Sequence, residues 1–83
     1  MKKTKQKIVD KVNDFLINRL EIDREMVHPD AELRMDMGLT SIDAIHIALF
    51  LKQTFGVQPV EEDLTSLVTL DDLYNYIEKH QTL

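Results

Sequence analysis

The 83-residue chain has no cysteine and no tryptophan, two glycines, two prolines, and no long apolar run. Without cysteine it can form neither disulfides nor thiolate metal sites, and nothing of its own marks an oxidising compartment. No hydrophobic stretch approaches the roughly 20 residues that cross a bilayer, so no membrane-spanning helix is expected. The lysine-rich start leads into an amphipathic segment rather than an apolar signal-peptide core, and a cytoplasmic protein is the expectation. The three histidines, His28, His46 and His80, lack ligand spacing, so no metal site is expected. Cations are scarce beyond the first 20 residues. Residues 1–20 carry a net +4 and residues 21–83 a net −9, for −5 overall. Phosphate binding needs clustered cations, and no recognition helix here carries a basic face, so a nucleic-acid role is not expected. "KKTKQK" at residues 2–7 reads as a solvated end.

What remains is a globular composition, 43% hydrophobic and 30% charged, sized for one domain over residues 1–83. Ile8, Val9, Val12, Phe15, Leu16 and Leu20 recur at helical spacing and predict a first helix over residues 4–20, with Thr4 as its N-cap. Residues 21–40 have no helical period. "HPD" at 28–30 signals a turn, because Pro29 keeps His28 out of helical geometry. Leu33, Met35, Met37 and Leu39 alternate as in a strand, but no second strand is available to pair. An extended loop laid over the core is expected instead, and a loop of this length in a small domain is more often functional than not.

Thr40 and Asp43 resemble a capping box that opens a second helix ending at Phe55, with Gly56 just past its end. Glu61, Glu62 and Asp63 favour the start of a short helix through Ser66, and Thr69 caps a last helix carrying Leu70, Leu73, Tyr74 and Ile77. The expected fold is all-α, a small four-helix bundle of three main helices and one short one. Its long loop joins helices one and two.

The second helix is apolar on more than one side. On a wheel of 100° per residue, Ile47, Phe50, Leu51 and Phe55 share one face, with Ala44 and Ala48 beside it. That face suffices for a small bundle. Ile42, Ile45 and Leu49 form a second row running down from Ser41. Either the long loop covers this row, or it is an exposed stripe for a partner protein. Position alone suggests that Ser41 is a cap. With Thr40 the better cap, however, its hydroxyl is left free at the positive end of the helix, beside unpaired N–H groups that suit an anion. A hydroxyl, an anion-friendly helix tip and an apolar row together suit a phosphate-linked attachment site read by other proteins.

Residues 36–57, "DMGLTSIDAIHIALFLKQTFGV", resemble the signature of the acyl carrier protein family. In that signature an aspartate, an apolar residue and glycine precede, by two positions, a serine, an aliphatic residue and an aspartate opening a helix that ends in Phe-Gly. The likeness extends to the opening helix, the long loop, the acidic "VQPVEED" and the closing "YIEKHQ". The resemblance implies that Ser41 bears 4′-phosphopantetheine, installed from coenzyme A by a phosphopantetheinyl transferase. It implies docking through Ile42, Ile45 and Leu49, and a carrier with no catalytic residues, here expected to be monomeric. Its partners would be acyl-loading, condensing and modifying enzymes of fatty-acid, polyketide-like or other specialised acyl-chain biosynthesis. Phe50, Leu51, Leu67 and Ile77 would line a cavity for the acyl chain.

Two departures stand out. Thr40 occupies the position where the family usually has aspartate. The second helix carries Asp43, His46 and Lys52 instead of the family's glutamates, which predicts docking that leans on apolar contact. Alternatives are an aminoacyl or peptidyl carrier, a non-carrier helical interaction domain, and a serine hydrolase built on Ser41, His46 and Asp43. Aminoacyl and peptidyl carriers tend to have a glycine-rich stretch and histidine before the serine, where this chain has Leu39 and Thr40. The hydrolase fails on geometry, since residues five apart on a helix diverge by about 140° and no oxyanion loop is visible.

Overall fold

The computed structural model describes residues 2–81, with side chains from residue 5 onward. The first apolar spacing folds as helix α1, Lys2–Asn18, burying Ile8, Val12, Phe15 and Leu16. Thr4 lies within the α1 backbone rather than at its cap, and its side chain is outside the described residues. The helix stops two residues short of Leu20. Glu21 adopts φ +56°, a left-handed turn that no α-helix continues through, and Ile22 N–H donates back to the Leu16 carbonyl at 3.0 Å. Leu20 still packs against the core from outside the helix.

The long connection contains one 3-10 turn, Arg24–Met26, and is sewn to the far end of the chain. Leu70 N–H donates to the Ala31 carbonyl, Leu33 N–H to that of Val68, and Asp71 N–H to that of Pro29, at 2.8–3.0 Å. These three bonds pair loop backbone groups with residues 68–71. Residues 33–39 are wound rather than extended. Met37 N–H reaches the Glu32 carbonyl, Gly38 N–H that of Arg34 and Leu39 N–H that of Leu33, each at 3.0–3.1 Å. Winding breaks the period of two, so Leu33, Met37 and Leu39 are buried while Met35 is thrown outward.

Helix α2, Ser41–Phe55, follows directly, then a short α3, Glu61–Ser66, and α4, Leu70–His80. An isolated bridge between Glu32 and Thr69 is the only β-type pairing among the described residues. Both α2 and α4 open on a complete Thr-x-x-Asp capping box, and α2 ends where Gly56 takes the left-handed φ of +71°. Phe50 of α2 stacks on Phe15 of α1 with ring centroids 4.2 Å apart, and Phe55 meets Phe50 edge-on at 5.8 Å. Leu70, Leu73, Tyr74 and Ile77 of α4 complete one hydrophobic core. The result is an all-α bundle of four helices with its long loop between α1 and α2. Among the described residues no helix is long and apolar enough to cross a membrane, and no group of acidic, histidine or cysteine side chains could hold a metal ion.

Candidate functional site

The head of α2 is fixed from both sides. Upstream, Gly38 takes φ +69°, a conformation that costs glycine nothing and strains other residues. A Cβ there would meet no atom within 4 Å, so the requirement is conformational and not one of space. Downstream, Thr40 Oγ1 accepts from the Asp43 N–H at 3.3 Å, and Asp43 Oδ2 accepts from the Thr40 N–H at 3.0 Å and its hydroxyl at 3.2 Å.

That box leaves Ser41 as the first helical residue, exposed. Its hydroxyl has no hydrogen-bond partner among the described residues. The Thr40 carbonyl already receives the Ala44 N–H, so the N–H groups of Ser41 and Ile42 are the ones left at the tip. An anion on the Ser41 oxygen would therefore sit at the positive end of the helix dipole. Asp43 is spent in the cap, and Asp36 Oδ2 accepts from the Glu32 N–H at 2.8 Å. The residues present thus fit a phosphate ester on Ser41.

From that tip the outer face of α2 runs apolar. Ile42, Ile45 and Leu49 are 66%, 61% and 52% exposed, while Ile47, Leu51 and Phe55 on the inner face are buried. The long loop does not cover the outer row. Met35, in the wound segment before α2, is 80% exposed as well. Each exposed side chain leaves on the order of 1.5–3 kcal/mol of burial unrealised.

An open groove of about 690 Å³ lies between α2 and α3, with Ser41 on its rim. Leu33, Leu39, Ile47, Leu64, Leu67 and Leu73 give it apolar walls. Of the four residues expected around a cavity, Leu67 lines this groove. Phe50, Leu51 and Ile77 do not, because Phe50 is committed to the aromatic stack with α1 and Leu51 and Ile77 are sealed in the core. The short α3 forms the opposite wall and buries none of its own residues. Tyr76 of α4 ties it down by donating to Asp63 Oδ2 at 2.8 Å. Burial, together with that bond, pushes the Tyr76 phenol up to about 12, so it stays a neutral donor. Sequence periodicity missed Leu33, Leu39 and Leu64 as lining, since only the fold brings loop and α3 together. His46 is exposed, and the expected absence of a Ser41–His46 hydrogen bond follows from the wheel.

Comparison with known proteins agrees with this geometry. Residues 10–77 match the family model described as a phosphopantetheine attachment site. The acyl carrier protein of Syntrophobacter fumaroxidans is 31% identical over 71 residues, covering 86% of this chain and 88% of that one. That of Lactobacillus johnsonii is 31% identical over 94% of this chain and 98% of its own length. That of Rubrobacter xylanophilus is 27% identical over 94% and 96%. The chain belongs to the acyl carrier protein family, with covalent 4′-phosphopantetheine as its cofactor. It is a carrier and not a catalyst.

Proposed function

We propose that Ser41 is the attachment point of the phosphopantetheine arm and that the protein carries acyl intermediates for a chain-building pathway. When bound, the arm supplies a terminal thiol that holds an acyl group as a thioester. The chain's own residues do the positioning. Thr40 and Asp43 satisfy the helix cap between themselves, which leaves the Ser41 hydroxyl unpartnered and in reach of a transferase. Ser41 has no internal base beside it and needs none, because the transferase activates the hydroxyl during modification.

The observation that carries this reading is the free, exposed hydroxyl at the tip of α2 with an exposed apolar row leading away from it. Ile42, Ile45 and Leu49 form the docking row for the transferase and for acyl-loading, condensing and modifying enzymes. Docking is brief, since tight binding would slow hand-over. The groove beside Ser41, walled by Leu64 and Leu67, shelters the first part of the acyl chain. The relatives are named as acyl carrier proteins, which favours an acyl over an aminoacyl cargo.

The test is intact mass spectrometry after incubation with coenzyme A, magnesium and a broad-specificity phosphopantetheinyl transferase. Wild type gains the mass of one arm and Ser41→Ala gains none. A Ser41→Ala protein that is still modified places the arm elsewhere.

A further inference from the structure

Helix α3 has little of its own to hold it in place. It is six residues long, too short to stay helical unaided. Its N-cap is Val60, which has no side-chain acceptor, whereas α2 and α4 are capped by Thr40 and Thr69. The Thr65 and Ser66 hydroxyls donate within the helix, to the Glu62 and Asp63 carbonyls. Among the described residues a single hydrogen bond joins an α3 side chain to another element, and no ion pair does. That bond runs from the Tyr76 hydroxyl to Asp63 Oδ2.

The two sides of α3 divide between this bond and the groove. Glu61, Leu64 and Thr65 line the groove, and Leu67 continues the wall. Asp63 is not part of that lining and meets α4 instead. Tyr76 also lies outside the groove, with its ring half-buried against the core and 4.4 Å from the ring of His80. Leu64 and Leu67 are themselves only half-buried, because the groove they face is open. Their burial is completed when something apolar fills it.

Resting on the reading of this groove as the shelter of the acyl chain, we propose that Tyr76 is the positioning residue that decides how firmly the cargo is held. It acts through Asp63, which it fastens so that α3 stands as the outer wall. With the bond made, a chain that reaches Leu64 and Leu67 lies between two fixed walls. With the bond lost, the wall opens locally and water reaches the same chain. An acetyl group, too short to reach α3, is indifferent to the bond.

The experiment loads wild type, Tyr76→Phe, Asp63→Ala and Asp63→Asn with acetyl- or octanoyl-phosphopantetheine, using the acyl-coenzyme A and a broad-specificity transferase. Release by hydroxylamine, which attacks the thioester carbonyl and expels the thiol, is timed against the same acyl-coenzyme A free in solution. Wild type protects octanoyl and leaves acetyl unprotected. Tyr76→Phe and Asp63→Ala each speed octanoyl release about two- to tenfold without changing acetyl release, and the double variant is no faster than either. Asp63→Asn keeps an acceptor oxygen for Tyr76 and protects octanoyl as wild type does. Full protection in Tyr76→Phe, additive losses in the double variant, or a loss in Asp63→Asn as large as in Asp63→Ala overturns the proposal. A wild type that protects neither group overturns the reading of the groove as a shelter. A wild type that takes no arm, while a known acyl carrier protein does, overturns the reading of Ser41. Circular dichroism verifies folding, and if Asp63→Ala is unfolded, Tyr76→Phe against wild type decides.

Discussion

Helices α2 and α4 begin alike and end up in different trades. Each opens on threonine, with aspartate three residues on and both capping hydrogen bonds made. Helix α4 then puts Leu70, Leu73, Tyr74 and Ile77 into the core and gives its other faces to Asp71, Asn75 and Glu78. Helix α2 also fills the core, with Ile47, Leu51 and Phe55, yet it places Ile42, Ile45 and Leu49 in solvent. The caps and the inner faces are equivalent parts of one bundle. The outer face of α2 is not a folding element, and its apolar side chains are available for contact with something else.

Core truncations should treat the two helices alike and give the largest effects on stability. Leu51→Ala and Ile77→Ala, both in fully buried positions, should each lose about 2–5 kcal/mol in urea unfolding, through lost burial and the cavity left behind. A loss below about 1 kcal/mol at Leu51 alone would mean that α2 is not held by its inner face.

The caps come next. Thr40→Ala and Thr69→Ala should each cost about 0.5–2 kcal/mol. Thr40→Ala should also slow modification of Ser41, whereas Thr69→Ala should leave it unchanged. Acid sharpens the picture at α4. The Thr69 and Val68 N–H groups hold the Asp72 carboxyl below its ordinary 3.8. The group is therefore more acidic in the folded state. Its contribution is present above the unfolded value and is lost as pH falls through the lowered one. Asp72→Asn should flatten the fall in melting temperature below about pH 4. An unchanged acid limb would show that the carboxylate is not held this way.

Much of this architecture was legible beforehand, and the misses have physical causes. The α2 cap, Gly56, the short acidic helix and the Thr69 cap follow from local chemistry, which one stretch of sequence contains in full. The end of α1 did not follow, because Leu20 keeps the apolar spacing after Glu21 has turned the chain. The alternation of Leu33, Met35, Met37 and Leu39 hid a wound segment whose bonds depend on Gly38. Exposure of Ile42, Ile45 and Leu49 was readable as a surplus, since Ile47, Phe50, Leu51 and Phe55 already supplied an inner face. The groove was hardly readable, because loop and α3 meet across it only in the fold. Leu67 lines the groove. Phe50 was claimed by the aromatic stack with Phe15, a contact between helices that wheel positions alone do not reveal.

Smaller effects probe the groove and the outer row. Tyr76→Phe should cost about 0.5–1.5 kcal/mol by removing the bond to Asp63, and hydrogen exchange should rise in α3 more than in α4. Equal increases in both helices would mean that Tyr76 holds α4 and not the groove wall. Ile45→Asp should change stability by no more than about 0.5 kcal/mol, with helicity intact, yet impair modification or acyl loading. Loss of helicity in that variant would put Ile45 in the core and erase the contrast between the helices.

The most direct measurement is to locate the modification. Tryptic cleavage after Arg34 and Lys52 releases residues 35–52, which contain both Thr40 and Ser41. After treatment with coenzyme A and transferase, fragmentation of that peptide should assign the added arm to the Ser41 oxygen. An arm found on Thr40, or on any other peptide, would contradict the account.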